Sequence, residues 1–430
     1  MRSPIPEYLD EVLRNCADDR AGAVADYVPE LAAADPEQLA VAVSAVDGTV
    51  YEAGDSRSAF TIQSISKPFV YALALADRGC EAVLARIGVE PSGEAFNELS
   101  LEEGSARPRN PMINVGALTA HTLAGPPGAP REERFERIVA GISAFAGRRL
   151  EVDEAVCRSE WGTAHRNLAI AHMLRGYEVI EEDAPRVVAD YIRQCSLLVT
   201  TRDLALMAAT LANGGVQPVT GEQVVSREVV RQVLSVMTTC GMYDAAGDWV
   251  TTVGIPAKSG VSGGILGALP GQVGIGVLSP RLDRHGNSVR GVRVCERLSA
   301  DMGLHLMEAS APARSALRGG RVLHGPGSRS ALVHELQGTL QFAGAERLVH
   351  GIAHTPPGHD EIGLDLTRVH SVNSVARRMI LETVRRLTLD GHAVTLIDPE
   401  GVLPDPDAGD GVRPRVVDTW EWGAAPGPGS

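Results

Sequence analysis

The sequence predicts an α/β protein in two parts: a large first domain, a mixed sheet with an inserted helical lobe, followed by a small α/β domain. Three observations carry that expectation. Strand-like runs come first, helical periodicity continues from Arg131 to about Asn213, and strand-like runs return after Ala257. That order fits helices inserted between parts of one sheet. A chain of 430 residues exceeds one ordinary core, so two domains are expected. Around Ala309 to Ser330 the composition turns to Ala, Arg, Gly, Ser and Pro with no period, and a short α/β pattern comes after it. The expected divisions are a first domain over 1–310, a linker over 311–324, a second domain over 325–403 and a tail over 404–430.

Taken in order, Pro4 to Ala34 carries apolar residues at helical spacing, ending at Asp26-Tyr-Val-Pro-Glu-Leu31. Leu39 to Val46, the turn Asp47-Gly48, and Val50-Tyr51 form a hairpin pattern. Apolar residues at Ile65, Phe69 and Leu73 make a helix stripe. Gly88 to Gly93 is a turn cluster, Asn110 to Ala117 opens another apolar helix, and Gly125 to Pro130 is a loop by composition. Asn213-Gly-Gly215 ends the helical block, and Gly271 to Leu278 reads as a strand. In the second part, Ala331–Gln337, Ile362–Leu366 and Ala393–Ile397 are strand patterns, with an amphipathic helix from Val375 to Leu389 stopped by Asp390-Gly391. The Pro-, Gly- and Asp-rich tail from Pro404 is expected to be mobile apart from Trp420 and Trp422.

Composition excludes several functions. A formal charge of −14 argues against a nucleic-acid surface or an anionic-membrane binder. Met1 to Asp10 lacks the apolar core of a signal peptide, and the longest apolar run, Phe69 to Ala76, is far short of a membrane span. Six scattered cysteines without a Cys-x-x-Cys pair fit free thiols in a reducing compartment, so a cytoplasmic location is expected. The pair His350 and His354 lacks the Glu of a zinc motif and has a glycine where a helix is needed; His165 and His172 fit packing better than ligation. No metal and no cofactor are expected.

The chemistry concentrates around Gln63-Ser-Ile-Ser-Lys-Pro68. Pro68 is tolerated only in a first helical turn, which places Ser64 at a helix mouth with Lys67 one turn behind it. Ser-x-x-Lys is a nucleophile arrangement. Lysine usage sharpens the reading. Of 40 Lys plus Arg, only Lys67 and Lys258 are lysine, leaving 38 arginines. Arg stays protonated, whereas a buried Lys can shed its proton and act as a base. Lys258 lies in Lys258-Ser-Gly260, a triplet that partners Ser-x-x-Lys in penicillin-recognising serine hydrolases. The plainer reading of both lysines is residual surface charge.

With these residues in place, residues from about Tyr27 to Leu306 resemble the serine-dependent glutaminases. The carriers are Asp26-Tyr-Val-Pro-Glu-Leu31, Gln63-Ser-x-x-Lys-Pro68, Glu90-Pro-Ser-Gly-x-x-Phe-Asn97, Asn110-Pro-Met-Ile-Asn-Val-Gly-Ala117, Tyr191 with Cys195-Ser196, Thr239-Cys-Gly-Met-Tyr-Asp244 and Lys258-Ser-Gly-Val261. Two small departures, Val115 where Ala is expected and Ile192 where an aromatic is common, remove no functional group. The resemblance implies a beta-lactamase-like fold, a homo-oligomer (dimer or tetramer), and hydrolysis of L-glutamine to L-glutamate and ammonia. It implies Ser64 as nucleophile, Lys67 as its base, Tyr243 (or Tyr191) as relay to the leaving nitrogen, and Lys258 in support. The backbone N–H groups of Ser64 and Val261 would hold the oxyanion. Glu160 would pair with the substrate ammonium, with Tyr27, Asn114, Asn167 and Tyr191 at the charged ends and Gln63 at the carboxamide. A free lysine sits near ~10.4, so a working base at about 7–8 needs roughly 4 kcal/mol of burial and like-charge pressure, part of it expected from Lys258. The seven-residue step from Glu160 to Asn167 is two turns if that stretch is helical.

Residues from about 325 to 400 resemble a STAS domain through Glu335-Leu-Gln-Gly338, Leu364-Asp-Leu366, Val369 to Ser374 and Gly391. The implied role is regulation or assembly with an unspecified partner. Ser374 is nearest to that fold's phosphorylated position, but Asn373 replaces the expected Asp, and a solvated helix cap at Ser374 is the plainer reading. Two other functions compete with glutamine hydrolysis. A penicillin-recognising hydrolase would need a Ser-Asp-Asn motif absent from the first domain. A glutamine-sensing regulator would bind glutamine without releasing ammonia.

Overall fold

The computed structural model describes residues 5–93, 98–308, 316–326, 328–340, 344–345, 348–349, 351–352, 358–409 and 411–422. The chain divides into two compact units, Met1–Glu308 and Ala309–Ser430. Phe96, Asn97, His350 and His354 lie outside the described residues.

In the first unit β1 (Ala40–Ala45) and β2 (Val50–Gly54) form the expected hairpin. Asp47 closes its turn by accepting from the Thr49 N–H at 2.8 Å, and Gly48 takes φ +89°. A short ladder pairs β3 (Phe60–Thr61) with β4 (Leu198–Val199). After the helical lobe come β5 (Ala257–Ser259), β6 (Gly264–Leu269) and β7 (Val273–Leu278), giving the five-stranded order β2-β1-β7-β6-β5. Every neighbouring pair is antiparallel. The mixed sheet expected for this unit is therefore corrected: tight turns join β1 to β2 and β6 to β7, and such reversals allow only antiparallel neighbours.

One face of the sheet packs on the helices Ile5–Ala17 and Val289–Met302, through Leu9, Val12, Val41, Val43, Val277, Val294 and Leu298. The other face carries the helix Thr201–Ala212. It lies so close that a Cβ at Gly274 would meet the Ala209 nitrogen at 2.1 Å, and one at Gly276 the Thr201 oxygen at 2.3 Å. The glycines that interrupt the strand pattern of β7 are thus the seat of that helix. The helix Ser66–Arg78 is buried along most of its length, with Phe69 against Phe145 at 4.9 Å between ring centroids. Pro68 falls in its first turn, and the turn Gln63–Ile65 precedes it.

The second unit has the order β12-β11-β10-β9-β8. Its strands are β8 (Leu317–His324), β9 (Ser330–Leu340), β10 (Glu361–Val372), β11 (Ala393–Ile397) and β12 (Arg415–Val417). β9 through β12 run parallel, β8 pairs antiparallel to β9, and the helix Ser374–Leu389 connects β10 to β11. Leu336, Ile362, Leu364, Ile380, Val384 and Leu396 form its core.

Three expectations are corrected here. Residues 317–324, expected within a linker, are strand β8. Their own pattern is polar, and their order comes from the ladder to β9 and from Arg321, which pairs with Glu335 and Asp365. The tail is not free beyond Pro404: β12 joins the sheet edge, and the Val417 carbonyl accepts from the Asp398 N–H at 3.0 Å. The cap of the last helix is Asn373, whose side chain accepts from the Ala376 N–H at 2.8 Å, while Ser374 is its first helical residue.

Candidate active site

Ser64 lies in the turn Gln63–Ile65, which enters the helix Ser66–Arg78. Gln63 holds φ +50°, a left-handed conformation that costs a non-glycine residue about 1–3 kcal/mol. Tyr243 opens a second short turn, Tyr243–Ala245, at φ +55°. The Tyr243 hydroxyl donates to the Ser259 carbonyl at 3.2 Å and hydrogen-bonds with Ser64. Burial pushes its phenol up to about 12, so it stays protonated at neutral pH.

Lys67 is 1 % exposed. Its Nζ donates to the Met112 carbonyl at 3.2 Å and to Asn114 Oδ1 at 2.7 Å. Burial lowers its ammonium from the ordinary lysine value to about 7, with the Cys195 thiol opposing. Lys258 is also buried; its Nζ donates to the Ser259 carbonyl at 2.8 Å and sits 3.9 Å above the Tyr243 ring. Burial is the first cause holding Lys258 well below the lysine range, and repulsion between the Lys258 and Lys67 charges is the second.

These groups back a pocket of about 210 Å3 lined by Tyr27, Gln63, Ser64, Asn114, Glu160, Asn167, Tyr191 and Val261. Eight of the predicted site residues thus share one cavity, while Lys67, Lys258 and Tyr243 are not among its lining. Glu160 accepts from the Tyr27 hydroxyl at 2.8 Å and from Gln63 Nε2 at 3.2 Å. Burial raises its carboxyl, and those two hydrogen bonds oppose the rise. Asn114, whose Oδ1 accepts a hydrogen bond from Lys67, donates through Nδ2 to Asn167 Oδ1 at 3.0 Å. Glu160 and Asn167 do not share a helix as the two-turn spacing assumed: the helices Glu154–Gly162 and His165–Gly176 are separated at Thr163 and Ala164. The break itself lines the pocket.

Sequence reasoning missed Thr163, Ala164, Arg166, Ile192 and Cys195 as lining residues. Apart from the quoted Cys195 and Ile192 they carry no motif, and only proximity to Glu160 and Asn167 marks them. Among the described residues no group of three or more His, Cys, Asp or Glu is placed to hold a metal ion, and no helix is long and apolar enough to cross a membrane.

A hydroxyl on a strained turn, a buried amine whose proton leaves near neutrality, and one carboxylate among amides and phenols are the equipment of a serine hydrolase for a small charged metabolite. Comparison with known proteins narrows the class: the chain matches the glutaminase family over residues 22–307, and it belongs to that family. It is 48% identical over 415 residues to a glutaminase of Corynebacterium efficiens, covering 96% of this chain and 97% of that one. Among solved structures, Mglu is similar with a TM-score of 0.86 at 50% identity, covering 94% of this chain and all of the other. Mglu in its glutamate form has a TM-score of 0.84 at 46% identity, with the same coverage.

Proposed function

We propose that this chain hydrolyses L-glutamine to L-glutamate and ammonia through an acyl-enzyme on Ser64. The observation that carries the reading is Lys67, buried, held near 7 and one helical turn from Ser64 at the pocket. In its neutral form the amine spends two hydrogens on Met112 and Asn114 and presents its lone pair as a base. Lys67 takes the Ser64 proton as Oγ attacks the side-chain carboxamide carbon. The N–H groups of Ser64 and Val261 receive the oxyanion, each such donor being worth about 3–4 kcal/mol. Tyr243, protonated and hydrogen-bonded to Ser64, gives its proton to the nitrogen and is reprotonated by the one Lys67 took, the C–N bond breaks, and ammonia leaves. Water then attacks the ester carbon and gives a proton to neutral Lys67, which passes it to Ser64 Oγ as the acyl–oxygen bond breaks, and glutamate departs.

Glu160 supplies the ammonium partner. Its carboxylate is penalised by burial, and an arriving α-ammonium relieves that penalty. Asn114, Asn167, Tyr27 and Tyr191 complete the charged end, with Gln63 beside the carboxamide. The first unit is a beta-lactamase-like domain in this reading. The second, a largely parallel sheet with a crossover helix, is a STAS-like domain for regulation or assembly. Six free cysteines fit a cytoplasmic enzyme, and a homo-oligomer is expected by family likeness. The test is ammonia release from glutamine and asparagine by the wild type, Ser64→Ala and Lys67→Ala. Glutamine turnover lost in both variants supports the reading; an undiminished Ser64→Ala overturns it.

A further inference from the structure

Behind the nucleophile turn runs a line of buried polar side chains that the proposed mechanism does not use. Ser66, the first residue of its helix, donates from Oγ to the Gln63 carbonyl at 2.8 Å. Gln194 Nε2 donates to Ser66 Oγ at 2.9 Å, and His121 Nδ1 lies 2.8 Å from Gln194 Oε1. The four residues are between 0% and 4% exposed.

The protons in this line can be assigned one after another. The Gln63 carbonyl only accepts, so the single Ser66 hydroxyl hydrogen is spent there. Ser66 Oγ must then accept, which turns the Gln194 amide so that its NH2 faces Ser66 and its oxygen faces His121. That oxygen demands a donor, so His121 carries hydrogen on Nδ1. Burial lowers the His121 pKa and keeps the ring neutral, and Nδ1 donates in either charge state. The result is a directed chain from the helix Asn114–Leu123, through the helix Ala184–Cys195, onto the carbonyl of Gln63.

Its end point is the residue whose backbone is strained. Gln63 needs φ +50° to set Ser64 at the pocket while its own side chain reaches Glu160. Glycine would adopt that φ freely but has no amide to offer. The strain persists only where surrounding contacts fix it. The same Ala184–Cys195 helix carries Tyr191 and Cys195 in the pocket wall, so one rigid element sets both wall and prop.

We infer that Ser66, Gln194 and His121 are positioning residues that hold the Gln63–Ser64 turn in its reactive geometry for the proposed acyl transfer. The inference rests on that proposed reaction. The experiment uses the full chain and measures kcat and KM for glutamine, L-glutamate affinity by calorimetry and the thermal midpoint. Ser66→Ala and Gln194→Leu should each lower kcat by about tenfold or more, with KM and glutamate affinity within about threefold. The double variant should lose little beyond the worse single one, because one break opens the whole chain. His121→Asn, which keeps an N–H near Nδ1, should retain kcat within about threefold, whereas His121→Phe should fall with the others.

Wild-type kcat in a folded Ser66→Ala, multiplying losses in the double variant, or a loss confined to KM overturns the inference. If Ser66→Ala does not fold, the His121 pair decides: equal kcat in Asn and Phe overturns it. A wild type that releases no ammonia overturns the reaction and this inference together. An active wild type with a dead Ser64→Ala and unaffected prop variants overturns only this one.

Discussion

Lys67 takes its character first from where it sits: burial is the main cause that brings it to about 7. In the proposed reaction the neutral form is the base, so kcat/KM should fall about tenfold per unit as pH drops below about 7 and flatten above it. A pH–rate profile of the wild type checks this, and a flat profile from pH 5 to 8 contradicts it. Lys67→Arg should be folded but roughly a thousandfold slower in ammonia release, since guanidinium keeps its proton. Glu160→Gln should raise KM for glutamine by roughly 10–100-fold with a smaller change in kcat, as measured by steady-state kinetics. The scarcity of lysine made Lys67 and Lys258 legible in the sequence, because burial without permanent charge is the property Arg lacks. Arg166 and the Ser66–Gln194–His121 line were silent in the sequence: hydrogen bonds between residues 73 and 128 positions apart leave no local spacing to find.

Between the residues and the whole fold, glycine explains why some motif positions are fixed. A Cβ on Gly241 would stand 1.7 Å from the Ala257 oxygen, between the end of the helix Arg227–Cys240 and β5. Gly241→Ala should destabilise the protein by about 3 kcal/mol and displace the Tyr243 turn. Gly247→Ala meets nothing within 4 Å in its helix and should be neutral or stabilising by about 0.5–1 kcal/mol. Denaturant midpoints of the two variants measure the contrast, and equal midpoints would refute it. Elements with their own periodicity, such as β1, β2, β7 and the helix Ser66–Arg78, were legible from sequence. β8 and β12 were not: Leu317-Arg-Gly-Gly-Arg321 and Arg415–Val417 are ordered by a neighbouring strand's ladder, which composition does not encode. The direction of the first sheet was missed for a related reason. A strand's apolar pattern records which face is buried and says little about the polarity of its neighbour.

At the scale of the molecule, every pocket residue falls between Tyr27 and Val261, inside the first unit. A chain ending at Glu308 should therefore retain glutamine turnover within a few-fold, a result that ammonia assays on purified protein can check; complete loss would mean that the second unit is needed to complete the site. The central pairing of the first sheet has a different consequence. β1 lies between β2 and β7, and Ala45 pairs with Val273, roughly 230 residues later. A growing polypeptide leaving the ribosome thus extrudes its opening hairpin long before the partner strand has been translated. Until then the β1 edge that later takes β7 has no strand to pair with.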